Sequence, residues 1–137
     1  MPHATYQTFG GDDMLIADYE HWAVLSRPAQ ATKGAMVLIA KADVTSYSDL
    51  PAEAFAEMGR VIRDIEATMA ATQKPDRMNY LMLMMVDPNV HYHVIPRYGP
   101  DHDCEDPGWP GPPALGSTVS SDAAEMRDFL KSAWIFS

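Results

Sequence analysis

One ten-residue stretch limits the possible folds more than any other: Asn89-Val90-His91-Tyr92-His93-Val94-Ile95-Pro96-Arg97-Tyr98. Its β-branched and aromatic residues favour a strand, and on a strand successive side chains alternate between faces. Asn89, His91, His93 and Ile95 therefore share one face, while Val90, Tyr92 and Val94 share the other. A strand with two imidazoles and an amide on one side and an apolar row on the other needs a sheet packed on a core by one face, with a site on its second face.

Around this strand the chain alternates short apolar runs with two helical patterns. Met14–Asp18, His21–Ser26 and Ala35–Ala40 read as strands. The first two are joined closely enough to form an antiparallel hairpin, and Pro28 ends the second. Residues 1–13 read as a loose lead-in in which Tyr6 and Phe9 could pack. Pro51 stands at the first position of a long helix, with Glu53 in the first turn. Phe55, Met58, Ile62, Ile65 and Met69 recur at steps of three and four, and Asp64 falls among the solvent-side residues. Lys74-Pro75 stops the helix near Thr72. Met78–Val86, almost wholly apolar, reads as a central strand covered on both faces. Asp87-Pro88 then makes a tight turn into the histidine strand, so that these two pair antiparallel. Tyr98–Ser121 is dense in proline and glycine, an irregular segment long enough to suggest a functional role. Asp122 with Glu125 caps a terminal helix over Ala123–Phe136, with Met126, Phe129, Leu130 and Trp134 on one side. The pattern is α+β: an antiparallel sheet of about five strands, one long helix and a C-terminal helix, in a single domain over 1–137 with its core in 14–98.

Composition narrows the function. Nineteen acidic against ten basic residues, a formal net charge of −9, exclude the broad basic face used to bind long nucleic acid, though not a small phosphate ligand held by local donors. The single cysteine, Cys104, excludes an internal disulfide and a cysteine metal cluster. No apolar run reaches membrane-spanning length and no signal pattern opens the chain, so the expectation is a cytoplasmic protein without a membrane partner.

Three chemistries suit His91 and His93: nucleophilic or acid–base catalysis by a neutral imidazole, two ligands to a metal ion, or two half-buried structural histidines. No spacing supplies a third metal ligand, so a divalent metal is possible but not indicated, and no cofactor is required. The wider string closely resembles the signature of the histidine triad (HIT) family, in which histidine and apolar residues alternate and Pro-Arg often follows. The resemblance covers about Met14 to Tyr98, and Trp109-Pro110-Gly111-Pro112-Pro113 is similar to a segment of a bacterial branch of that family.

The resemblance implies a HIT-like α+β fold, a homodimer, and cleavage of a small nucleotide at its α-phosphate, as in dinucleoside polyphosphates or nucleoside phosphoramidates. By position in the motif, His91 would be the nucleophile that forms a nucleotidyl-histidine, and His93 would support it. Asn89 stands where the motif begins with histidine; it can hydrogen-bond but carries no proton charge. Asp87-Pro88 stands where a polar phosphate-binding loop is common, and Ala35 follows Gly34 where many members have histidine. Asn89, Asn79, Arg97, Trp22 and Arg27 are the candidate substrate contacts, with Ser26 and Gln30 beside them. The other reading is a degenerate member that binds a nucleotide or a partner without turnover.

Overall fold

The computed structural model describes residues 2–137. Five strands form one antiparallel sheet: β1 (Leu15–Asp18), β2 (Trp22–Ser26), β3 (Met36–Ala40), β4 (Arg77–Leu81) and β5 (His91–Arg97), in spatial order β1-β2-β3-β5-β4. Three helices accompany them: α1 (Ala4–Thr8), α2 (Ala52–Ala71) and α3 (Ala123–Ala133). The chain leaves β3 through α2, forms β4 at the far edge, and returns with β5 into the gap between β3 and β4. The histidine strand therefore has a hydrogen-bonded neighbour on each side, which fixes its position.

The alternation along each strand separates two faces. Trp22, Val24, Met36, Leu38, Ala40, Val90 and Val94 pack with Ala54, Val61, Ile65 and Met69 of α2 and Met126, Leu130 and Trp134 of the C-terminal region. On the other face, Ala23, Leu25, Val37 and Ile39 pack against Tyr6, with Phe9 and Met14 beside them. Because both faces are covered, every residue of β2 and β3 is buried. Gly34 turns the chain into β3 at φ +87°, where a β-carbon would stand 3.0 Å from Cε of Met69, so the turn requires glycine.

Several sequence expectations change here. Residues 1–13 are no loose lead-in: α1 and a 3-10 turn at Gly11–Met14 lie on the sheet, with Tyr6 buried. Pro51 is the extended residue just before α2 rather than its first residue. The helix does end at Thr72, where the Lys74 N–H returns to the Met69 carbonyl at 2.8 Å. Its buried stripe is turned from the expected one: Ala54 and Val61 face the core, while Phe55 is 39% exposed and packs on the Tyr47 ring at 5.4 Å.

Asp64, expected on the solvent side, is buried. It accepts from the Tyr19 hydroxyl at 2.8 Å and the Ser137 N–H at 2.9 Å. Trp134 Nε1 donates in turn to the Tyr19 oxygen at 2.8 Å, so one carboxylate ties the β1–β2 turn to the C-terminal strap. Burial and this carboxylate push the Tyr19 phenol well above its ordinary range. The Asp122 side chain caps α3 by accepting from Glu125 N–H at 2.9 Å. The helix stops at Ala133 instead of Phe136, because Ile135 N–H bonds Thr68 Oγ1.

The largest correction concerns 78–86. The strand there spans only Arg77–Leu81 and lies at the sheet edge rather than its centre. Met84 adopts a left-handed φ of 53°, which ends the extended run, and Met85 and Val86 are 85% and 89% exposed. The antiparallel pairing with β5 holds, but the connection is a loop from Met82 to Val90 rather than a tight turn at Asp87-Pro88.

Candidate active site

Cross-strand register sets the floor of the site. His91 pairs with Ile39 and His93 with Val37, so both imidazoles stand on the face away from α2 and α3. Their rings meet edge to face at 5.1 Å and 84°. Phe9 lies over both, at 5.5 Å from His91 and 5.8 Å from His93. The two residues are only 2% and 8% exposed.

Each histidine has its tautomer set by one partner. His91 Nδ1 lies 2.7 Å from the Asn89 carbonyl oxygen. A carbonyl can only accept, so Nδ1 carries the hydrogen and the lone pair of the neutral ring is on Nε2. For His93 the relation is reversed. Arg27 Nε donates to His93 Nδ1 at 3.3 Å, which leaves the hydrogen on Nε2. The row thus presents one nitrogen lone pair and one N–H donor side by side.

Burial lowers the His93 pKa to about 4, helped by the Arg27 charge and by His91, so the ring is neutral at physiological pH. The unfolded chain titrates this residue near 6.5, and the folded chain only near 4. Between those values the unfolded state holds the extra proton, so stability falls as pH drops through 6.5 and the loss is complete below about 4. Allowing for solvent screening, the expected loss between pH 7 and 5 is about 1–2 kcal/mol. Urea midpoints of wild type and His93→Gln at both pH values check this. The wild type should lose that much more than the variant, and equal losses would contradict a neutral, buried His93.

Arg27 is the candidate brought fully to the row. It is buried, and its Nη1 is held by the Ala29 and Leu115 carbonyls at 2.8 and 3.1 Å, which fixes its charge beside His93. Asn89 precedes β5 instead of lying on it, and its side chain is saturated. Oδ1 accepts from Thr5 N–H at 3.3 Å and Thr5 Oγ1 at 2.9 Å. Nδ2 donates to Asp43 Oδ1 at 2.8 Å and to the Val44 carbonyl at 3.4 Å.

Arg97 and Asn79 share the histidine face but stand apart from the row, Arg97 being roughly 13 Å along the strand from His93 at ~3.3 Å per residue. Arg97 bonds Asn79 Oδ1 at 2.8 Å, both carboxylate oxygens of Asp106 at 2.8 and 3.1 Å, and the Gly111 carbonyl at 2.8 Å. It thereby anchors the proline-rich loop. Trp22 points to the opposite face. It is fully buried, donates to the Ala54 carbonyl at 2.7 Å, and is held away from the histidines by the pleat. Ser26 and Gln30 bond backbone carbonyls of this chain. Among the described residues, no three or more of His, Cys, Asp and Glu converge as a metal site.

Sequence reasoning missed the roof of the site. His3 caps α1 by accepting from Tyr6 N–H at 3.2 Å, its Nε2 lies 2.7 Å from the Ala40 carbonyl oxygen, and Thr5 is the partner of Asn89. Histidine is not among the usual capping residues, and a five-residue helix has too short a pattern to read.

Comparison with known proteins agrees with this fold. A histidine triad protein of Bradyrhizobium japonicum superposes with a TM-score of 0.73 at 21% identity, over 97% of this chain and 94% of that one. One from Sinorhizobium meliloti gives 0.74 at 18%, over 97% and 93%. A Zn-bound histidine triad family protein from Mycobacterium smegmatis gives 0.65 at 21%, over 87% and 81%. At such identities these likenesses establish the fold. No curated protein matches the sequence. No helix among the described residues is long and apolar enough to cross a membrane. The HIT domain model matches residues 11–99, well over half of the chain, and the protein belongs to the HIT domain family.

Proposed function

We propose that this protein cleaves a small nucleotide at its α-phosphate, of the dinucleoside polyphosphate or nucleoside phosphoramidate type, through a covalent nucleotidyl group on His91. The observation that carries the reading is the bond from His91 Nδ1–H to the Asn89 carbonyl, which leaves the lone pair on Nε2. In the first step Nε2 attacks phosphorus, a P–N bond forms, and the bond to the leaving group breaks with its electron pair. The substituted ring is then a cation whose remaining hydrogen points at the Asn89 carbonyl, and a charge-assisted bond of that kind stabilises it. His93 Nε2–H and the Arg27 charge beside it favour the negative charge that gathers on the phosphoryl oxygens. Water then attacks phosphorus and displaces the imidazole, giving the nucleoside monophosphate and a proton. A rigid central strand supplies the alignment on which such a transfer depends.

We also read the protein as a homodimer. The unpaired outer edge of β4, with exposed Leu83, Met85 and Val86 next to it, supports association with a second copy.

The test is to incubate the protein with adenosine phosphoramidate or diadenosine tetraphosphate carrying a labelled α-phosphate, then quench and map any acid-labile adduct. Label on His91 and release of adenosine monophosphate are expected. Saturable binding with neither adduct nor product across the panel would replace catalysis by a binding role.

A further inference from the structure

We propose that α1 is a gate over the histidine row, with Asn89 as its latch, Phe9 as its cover and Gly10-Gly11 as its hinge. The inference rests on the catalytic reading above for its purpose, but the moving part is defined by geometry alone. A nucleophile that is 2% exposed beneath a phenyl ring cannot meet a phosphorus atom while Phe9 stays in place. Something must open, and the strands on either side of β5 are locked by continuous ladders. The N-terminal segment, which carries Phe9, can leave without breaking the sheet.

Besides the packing of Tyr6 and Phe9 on the sheet, its attachments are a small set of hydrogen bonds. Thr5 is joined to Asn89 by three hydrogen bonds, two to Oδ1 and one from the Asn89 N–H to Thr5 Oγ1 at 3.1 Å. His3 reaches the Ala40 carbonyl, and the Tyr6 hydroxyl bonds Asp12 at 2.7 Å. A helix of five residues has almost no stability of its own, so its position depends on these contacts. Immediately after Phe9, Gly10 and Gly11 take φ of +105° and +56°. Two successive glycines in the left-handed region give the backbone freedom at the point where a hinge is needed. Behind the segment lies a cavity of about 270 Å³ lined by His3, Tyr6, Leu15, Asp18, Ile39 and Lys41. Ile39 is the cross-strand partner of His91, so withdrawal of α1 would merge this cavity with the row into one cleft.

The chemistry of Asn89 suits a latch. A primary amide offers two acceptor sites and two donors, and all four are in use, linking α1 to Asp43 and Val44. An imidazole has only two nitrogens and cannot replace that set.

Thr5→Val tests the gate, since it preserves shape while removing the Oγ1 bonds. Carbethoxylation of His91 by diethyl pyrocarbonate, followed residue by residue by mass spectrometry without nucleotide, reports the open population when opening is fast. The expected result is an increase of about five- to thirtyfold in His91 modification, matching the loss of one or two hydrogen bonds. Amide exchange in residues 5–8 should rise in parallel, with exchange in β3 unchanged. Phe9→Ala should raise His91 modification without altering exchange in 5–8. A His91 rate in Thr5→Val equal to that of wild type would overturn the gate, whatever the rate in Phe9→Ala. Neither measurement uses a substrate, so failure of the catalytic reading would leave this result standing, and the reverse.

Discussion

His91→Gln should abolish turnover, lowering the rate by at least roughly 10⁴-fold, because removal of a covalent nucleophile leaves only binding and electrostatic contributions. The covalent adduct should disappear with it. Glutamine keeps a donor able to reach the Asn89 carbonyl, so the fold should persist with an unchanged circular dichroism spectrum and a urea midpoint close to that of wild type. Binding of the nucleotide should also survive, because Arg27 and the His93 N–H remain in place. Equilibrium binding measured beside single-turnover cleavage separates the two losses. An adduct that persists in this variant, or that maps to His93, would refute the assignment of the nucleophile.

Trp22→Ala carries the largest expected effect on stability. The indole is fully buried in the main core, donates to the Ala54 carbonyl and lies 6.2 Å from the Tyr92 ring. Its removal leaves a large cavity and forfeits the indole hydrogen bond to α2, at a cost of about 3–5 kcal/mol. That is a large fraction of the roughly 5–15 kcal/mol that stabilises a domain of this size. Urea titration followed by circular dichroism measures the change. Trp22→Phe should lose less, since it fills most of the cavity and forfeits chiefly the hydrogen bond. Turnover per folded molecule should stay within a few fold of wild type, because Trp22 is on the far side of the sheet from His91. Unchanged stability with nucleotide affinity weakened tenfold or more would return Trp22 to the site.

Both outcomes depend on which face a side chain takes, and here the sequence was informative for strands and weak for everything packed on them. Alternation in 89–98 placed His91 and His93 together on one face and Val90 and Val94 on the other, because the period of a strand is fixed by its backbone. The α2 boundaries were legible to within a residue, since Pro51 and Lys74-Pro75 restrict the backbone locally. The orientation of α2 was not. Periodicity marks an apolar stripe but does not say how the helix is rolled against the sheet, and that choice buried Asp64 and left Phe55 partly exposed. The run 78–86 misled for a related reason: hydrophobicity indicates contact with something apolar, not a central place in the sheet.

The candidate site divides in the same way. The sequence by itself determined the strand, its two-faced character, the pair of histidines and the α+β class, all consequences of short-range geometry and side-chain type. Tertiary structure alone decided the tautomer of His93, the placing of Arg27 beside the row, and the diversion of Arg97 and Asn79 to anchoring a loop. It also decided that α1 covers the row and that Asn89 is spent on Thr5 and Asp43. Those outcomes join residues up to 84 positions apart. A local pattern cannot encode such pairings, because they depend on which surfaces meet when the sheet closes.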